Sequence, residues 1–219
     1  RRYKGVMKVE NASIKVVIEK LESLFSKFNH RYYEGKIQKP VITVSPDTTK
    51  GAYGWCTSWK AWTDSNKEDE GYYEINICAE HLNRSFKEVC ATLLHEMVHL
   101  WNLQNDVQDT SRNGSYHNKK FKEVAEQHGL IIEKDEKYGW TRTSLNKETD
   151  QYIESLNDKG FKIYRKKMVS ACSTSKQSTR KYVCPCCGCI IRATKEVHVM
   201  CCECCLLYTS PSPRDGATA

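Results

Sequence analysis

Apolar residues recur at Ile14, Val17, Ile18, Leu21, Leu24, Phe25, Phe28 and Tyr32, mostly three or four positions apart. That spacing lines one helical face and predicts an amphipathic helix near residues 12–33, ended by Gly35. The pattern then shortens. Val41–Ser45, closed by Pro46, reads as a strand, the aromatic-rich run 52–62 as a second, and 72–78 as a third. Polar residues 64–71 read as an exposed hairpin loop, and Trp55, Trp59 and Trp62 are assigned to the core. From Ser85 to Gln104 apolar residues cover most of a helical circumference, the mark of a buried helix. Ser85 and Glu88 form a capping-box pattern at its start. A polar loop with Asn113-Gly114 leads to another helix from His117 to His128, with Gly129 as C-cap. This order predicts an α+β domain with helices packed on a small antiparallel sheet. Beyond residue 130 the pattern weakens. Residues 130–133 and 161–164 read as short strands, 152–156 as a short helix, and the Ser/Thr/Lys-rich run 170–179 as a linker.

Within the buried helix lies His95-Glu96-Met97-Val98-His99. Histidines four apart stand one turn apart on one face, so both imidazoles can reach a single metal ion. Glu96 can then address a water from the side, which is the equipment of a zinc peptidase. A solvated surface helix could carry the same five residues by chance. The apolar flanks argue against that, because buried imidazoles and a carboxylate are costly unless paired or bound to metal. A catalytic zinc usually takes three protein ligands. Downstream candidates are His117, Glu123, Glu126 and His128. His117 follows a loop long enough to fold back and completes a three-histidine shell, so it is favoured. Glu123 and Glu126 read as solvated, His128 as an ordinary polar residue. Tyr116 and Arg112 are nearby donors for an oxyanion, with nothing to choose between them.

The chain has 219 residues, 39% hydrophobic and 28% charged, which fits a globular domain plus a small appendage. No apolar run approaches the roughly 20 residues that span a bilayer, and the first residues lack the apolar core of a secretory signal. Eight of the twelve cysteines fall between Cys184 and Cys205. Dense C-x-x-C pairs without a signal peptide read as metal ligands in a reducing compartment, cytoplasmic or, in a eukaryote, nuclear. Cys184 and Cys187 form one such pair, and a second lies at Cys201/Cys204 or Cys202/Cys205. Joined by a short hairpin, they resemble a zinc ribbon, in which the metal supplies stability that so small a segment lacks.

Of the net charge of +7, residues 159–183 carry +8, leaving −1 elsewhere. Such a run is either a solvated linker or a nucleic-acid contact beside the ribbon. Arg165, Lys166, Lys167, Arg180 and Lys181 are the candidate contacts. The expected domains are a peptidase domain at 1–158, a basic linker at 159–183, the ribbon at 184–204, and an aperiodic tail at 205–219. The tail looks like translated read-through rather than native sequence.

Leu93-Leu94-His95-Glu96-Met97-Val98-His99-Leu100-Trp101 and Gly114-Ser115-Tyr116-His117-Asn118-Lys119-Lys120-Phe121, with Gly54-Trp55-Cys56 and Glu74-Ile75-Asn76-Ile77 upstream, resemble the SprT-like (Spartan-type) metallopeptidases. The resemblance runs from about residue 12 to 204. It implies a zincin-like fold with a C-terminal zinc ribbon and two zinc ions, one catalytic and one structural. His95, His99 and His117 would bind the catalytic ion, and Glu96 would be the catalytic base. Cys184, Cys187, Cys201 and Cys204 would hold the structural one. It also implies a protein substrate trapped on DNA, with single-stranded DNA as a further partner. Two alternatives stand beside it: a general cytoplasmic metallopeptidase with a purely structural ribbon, and a non-catalytic, zinc-containing nucleic-acid-binding or transcription-associated protein. Glu96 argues against the last, since a structural site needs no base there.

Overall fold

A computed structural model of the chain describes residues 13–47, 51–112, 114–166, 180–204 and 207–208. Its contacts fall into two units that divide between Lys167 and Met168. The predicted linker at 170–179 lies outside the described residues, as does Lys167.

The first unit is mixed α and β. Helix α1 (Ile14–Tyr33) starts where the Ser13 side chain accepts from the Lys15 N–H and ends at Glu34 in a left-handed conformation. Its apolar stripe, Val17, Leu21, Leu24, Phe25 and Phe28, is buried. Strands β1 (Val41–Ser45), β2 (Gly54–Cys56), β3 (Trp62–Asp64), β4 (Lys67–Tyr72) and β5 (Glu74–Cys78) follow. The run 52–62 is therefore not one strand. It is cut into β2, which pairs with β5, and β3, which turns back onto β4 as a separate hairpin. The segment expected to be loop is largely the second arm of that hairpin. The polar run gave no alternation that would announce this ladder, whose Trp62 and Thr63 are exposed.

The first sheet has the order β1-β5-β2, with β1 parallel to β5 and β2 antiparallel to it. It is mixed rather than antiparallel. A parallel pair needs a long crossover, and the chain carrying β2, β3 and β4 supplies it. Against this sheet lies α2 (Phe86–Gln104), whose capping box is complete: Ser85 Oγ accepts from the Glu88 N–H while the Glu88 carboxylate accepts from the Ser85 N–H. Leu93, Leu94, Met97, Val98 and Leu100 are fully buried, each such side chain stabilising the fold by about 1.5–3 kcal/mol.

After α2 come β6 (Thr110–Ser111), β7 (Tyr116–His117), α3 (Lys119–Gln127), β8 (Leu130–Asp135), β9 (Gly139–Leu145) and α4 (Lys147–Ser155). These strands form a second sheet, β6-β7-β9-β8, of which the sequence announced only β8, as the short strand expected at 130–133. His117 belongs to β7, not to the start of the next helix, which is capped by the Asn118 side chain. Residues 161–164 form no strand. Around them, Lys20 Nζ bonds Asp158 and the Gly160 carbonyl, and the Arg165 N–H bonds the carbonyl of Ala79.

The second unit holds the hairpin β10 (Arg180–Val183) and β11 (Ile190–Ala193), with Tyr182 buried and its hydroxyl accepting from the Val197 N–H. Val199–Met200 pairs with Leu207–Tyr208, inside the segment expected to be a non-native tail. Among the described residues no helix is long and apolar enough to cross a membrane.

Candidate active site and metal centres

Helix α2 presents His95 and His99 on one face, and β7 brings His117 to meet them. His117 Nε2 lies 3.2 Å from His95 Nε2 and 3.0 Å from His99 Nε2. The outer nitrogens are held. Thr143 Oγ1, on β9, donates its one proton to the Thr141 carbonyl at 3.1 Å, so it accepts from His95 Nδ1 at 2.7 Å. Asp109 Oδ2 accepts from His99 Nδ1 at 2.7 Å and from Asn102 Nδ2 at 2.9 Å. Both bonds place the proton on Nδ1 and leave Nε2 with its lone pair facing inward. Lone pairs this close repel unless a cation sits among them. Nitrogens about 2.0–2.1 Å from a tetrahedral zinc would stand about 3.3 Å apart. The donor set and its spacing therefore fit zinc. His117 Nδ1 is buried and has no partner among the described residues.

Electrostatics agree with this division of labour. Burial, then the neighbouring histidines, push the pKa of His95 down, and burial takes His117 to about 4. Burial also opposes charge on His99, but the Asp109 carboxylate outweighs it and raises that pKa. Phe121, on α3, packs its ring 4.6–4.7 Å from all three imidazoles and fixes their backs.

The family model for SprT-like proteins matches residues 21–138, a span that contains all three histidines and Glu96. The chain belongs to the SprT-like family. No curated protein and no solved structure matches it significantly. The SprT-like match places the chain in a metallopeptidase-type family.

Glu96 is buried beside the histidines of this SprT-like domain, and burial pushes its pKa up to about 7. The backbone N–H of Cys56 partly offsets that by bonding the carboxylate. Gly54 permits the approach of β2 to α2. A Cβ there would stand 2.7 Å from the Asn76 carbonyl and 3.4 Å from Glu96 Cγ. The resulting cleft, about 1360 Å3, is lined by Trp55, Trp59, Arg84 and Tyr138 as well as by the histidines and Glu96. Trp59 and Trp62 are 64% and 44% exposed, so they are not core. Trp59 lies in the bend before β3, and Trp62 opens the separate β3–β4 hairpin, its Nε1 donating to Glu74 Oε2. Arg112 and Tyr116 stack on each other at 4.7 Å and do not line the cleft. Glu123 and Glu126 are exposed, while His128 is half-buried and stacks on Tyr33.

A second cluster brings together the Sγ atoms of Cys184, Cys187, Cys201 and Cys204, all within 4.8 Å of one another. The first knuckle is closed by Gly188 N–H to Cys184 O and Cys184 N–H to Cys189 O. Backbone N–H groups of Cys187 and Cys186 pull the Cys184 thiol down to about 7, toward the thiolate that binds metal. Cys186, Cys189 and Cys202 are exposed. Four thiolates fit a zinc ion.

The basic candidates divide between the two units. The Arg165 guanidinium is 2.6 Å from Glu80 Oε1, so its charge is neutralised within the first unit. Lys166 is exposed, and Arg180 and Lys181 lie on β10 of the second unit. Asp109 and Thr143 escaped sequence reasoning. Asp109 sits in a polar loop near Asp106 with no spacing to single it out, and Thr143 becomes meaningful only once β9 is placed.

Proposed function

We propose that this SprT-like protein is a zinc-dependent endopeptidase acting on DNA-bound or DNA-crosslinked proteins. The reading is carried by one observation: three convergent imidazoles share a cleft with the buried Glu96 carboxylate. Zinc held there would make a water nucleophilic at neutral pH and polarise a peptide carbonyl. His95, His99 and His117 would hold the ion, with Thr143 and Asp109 orienting two of them. Glu96 takes a proton from the attacking water and returns it to the leaving amine. The architecture is zincin-like, with a peptidase domain at 1–158, a basic stretch at 159–183 whose last four residues form β10, and a zinc ribbon at 184–204.

The DNA address rests on the basic stretch and the adjoining ribbon, and implies a cytoplasmic or nuclear setting. The Arg165–Glu80 pair favours a second reading, a general metallopeptidase with a structural ribbon, because it removes one cation from the basic run. A cleavage assay on a DNA-binding protein, with and without single-stranded DNA, separates the two. Wild type should cleave faster with DNA, and Glu96→Gln should retain zinc and lose cleavage. Full activity in that variant would sink the catalytic assignment, and indifference to DNA would sink the address.

A further inference from the structure

Arg84, just before α2, is a cation with no ion-pair partner at contact distance among the described residues. Its Nε donates to the His81 carbonyl at 3.1 Å and its Nη2 to Thr92 Oγ1 at 2.9 Å. The guanidinium lies 3.9 Å from the centroid of the Tyr53 ring. These contacts fix its plane and use two of its five N–H donors. Among the described residues no carboxylate forms an ion pair with it at contact distance; Glu88 attracts it only from further off, and its Oε2 accepts from the N–H and hydroxyl of Ser85. Burial pulls its pKa below the ordinary arginine value. A half-buried, stacked and immobilised guanidinium with free donors is a preorganised carboxylate receptor, since the planar fork matches the two oxygens.

Its position says what the receptor serves. Arg84 lines the same cleft as the histidines and Glu96. Its partner Thr92 stands one helical turn before Glu96, about 6 Å along the same face. A Cβ at Gly54 would touch both side chains, 3.2 Å from Thr92 Cγ2 and 3.4 Å from Glu96 Cγ. β2 is an edge strand of its sheet, so its outer side, where the Cys56 N–H already bonds Glu96, faces this stretch of helix rather than another strand. An extended peptide advances about 3.3 Å per residue, so the guanidinium falls one or two residues from a bond held at Glu96.

We propose that Arg84 is a specificity-determining residue that selects an Asp or Glu side chain within two positions of the scissile bond. The proposal rests on the peptidase reading of the same cleft. A peptide carboxylate is favoured over a nucleic-acid phosphate because the guanidinium lies inside the catalytic cleft, beside an edge strand suited to extended backbone.

The test uses the zinc-loaded full chain and two matched fluorescent peptide sets, with Glu or Gln at each of the two positions on either side of the central bond. Binding is measured by anisotropy in the Glu96→Gln background and cleavage by kcat/KM in the wild type. One acidic peptide should bind about tenfold more tightly than its amide twin. Arg84→Gln should reduce that ratio to about one, and Arg84→Lys should leave an intermediate ratio. Zinc content and melting temperature, measured on each variant, establish that it is folded. Equal binding of the acidic and amide twins, or a preference that survives Arg84→Gln, overturns the proposal. Abolition of the preference by a single-stranded oligonucleotide also overturns it, assigning Arg84 to phosphate. Selective binding without cleavage by the wild type would instead sustain Arg84 and defeat the peptidase reading.

Discussion

His99 Nδ1 lies 2.7 Å from Asp109 Oδ2, across the loop that leaves the metal helix. Asn102 Nδ2, one turn along α2, donates to the same oxygen at 2.9 Å. The carboxylate is thereby aimed, and the imidazole it holds can offer only Nε2 to a metal.

Replacing Asp109 with Asn should therefore weaken zinc binding about 10–100-fold without removing a ligand. Competition with a calibrated chelator measures this directly. Unchanged affinity would mean that the contact does not orient His99.

Gly139 places the third histidine. It has φ +76, and a Cβ there would collide with the His117 carbonyl and meet the Tyr116 ring at 2.8 Å. Gly139→Ala should cost about 1–2 kcal/mol from backbone conformation alone, with more from the collision. Because the collision falls on His117, zinc affinity should drop as well. Denaturant unfolding and metal titration on one preparation would reveal both losses.

Zinc content distinguishes the two metal centres. Cys187→Ala should reduce bound zinc from about two ions per chain to about one if both centres follow these ligand counts. His95→Ala should remove the other ion. Elemental analysis of the purified variants decides this, and an unchanged count in either would refute that centre.

Glu80 gives the acid response a definite sign. Burial raises its pKa, but the Asp47 N–H and the Arg165 guanidinium outweigh that, leaving it below the ordinary value. A depressed folded pKa stabilises the fold above the unfolded value of about 4.3. That contribution is lost as pH falls through the lower folded value. The stability advantage of wild type over Glu80→Gln should hold from neutrality to about pH 5 and shrink below it. A difference that grew on acidification would contradict the ion pair.

How much of this was legible in the chain depends on the range of the forces involved. Helix α2 announced itself because its cap, apolar spacing and paired histidines are local, and the capping box formed as written. His117 was found because few ligand types follow His99, although its backbone is strand rather than helix. The direction of β1 against β5 was hidden, because alternation of side chains does not encode whether a neighbour runs parallel. β9 was missed because Thr141, Thr143 and Ser144 make a weak pattern, and with it went the hydroxyl that orients His95. The tryptophans misled for a related reason: aromatic content suggests core, but Trp59 in a bend and Trp62 on a separate two-stranded hairpin stay exposed.

His99 and His117 stand 18 positions apart in the chain. An ion held by both would close that span as a covalent crosslink does, and a bridge over a loop of about 15 residues removes about 3 kcal/mol of unfolded-chain freedom. Metal occupancy and local order in residues 100–116 are then one equilibrium. Withdrawal of the ion would be felt along the whole loop, as faster amide exchange from Asn105 to Tyr116, before the buried face of α2 registered any change.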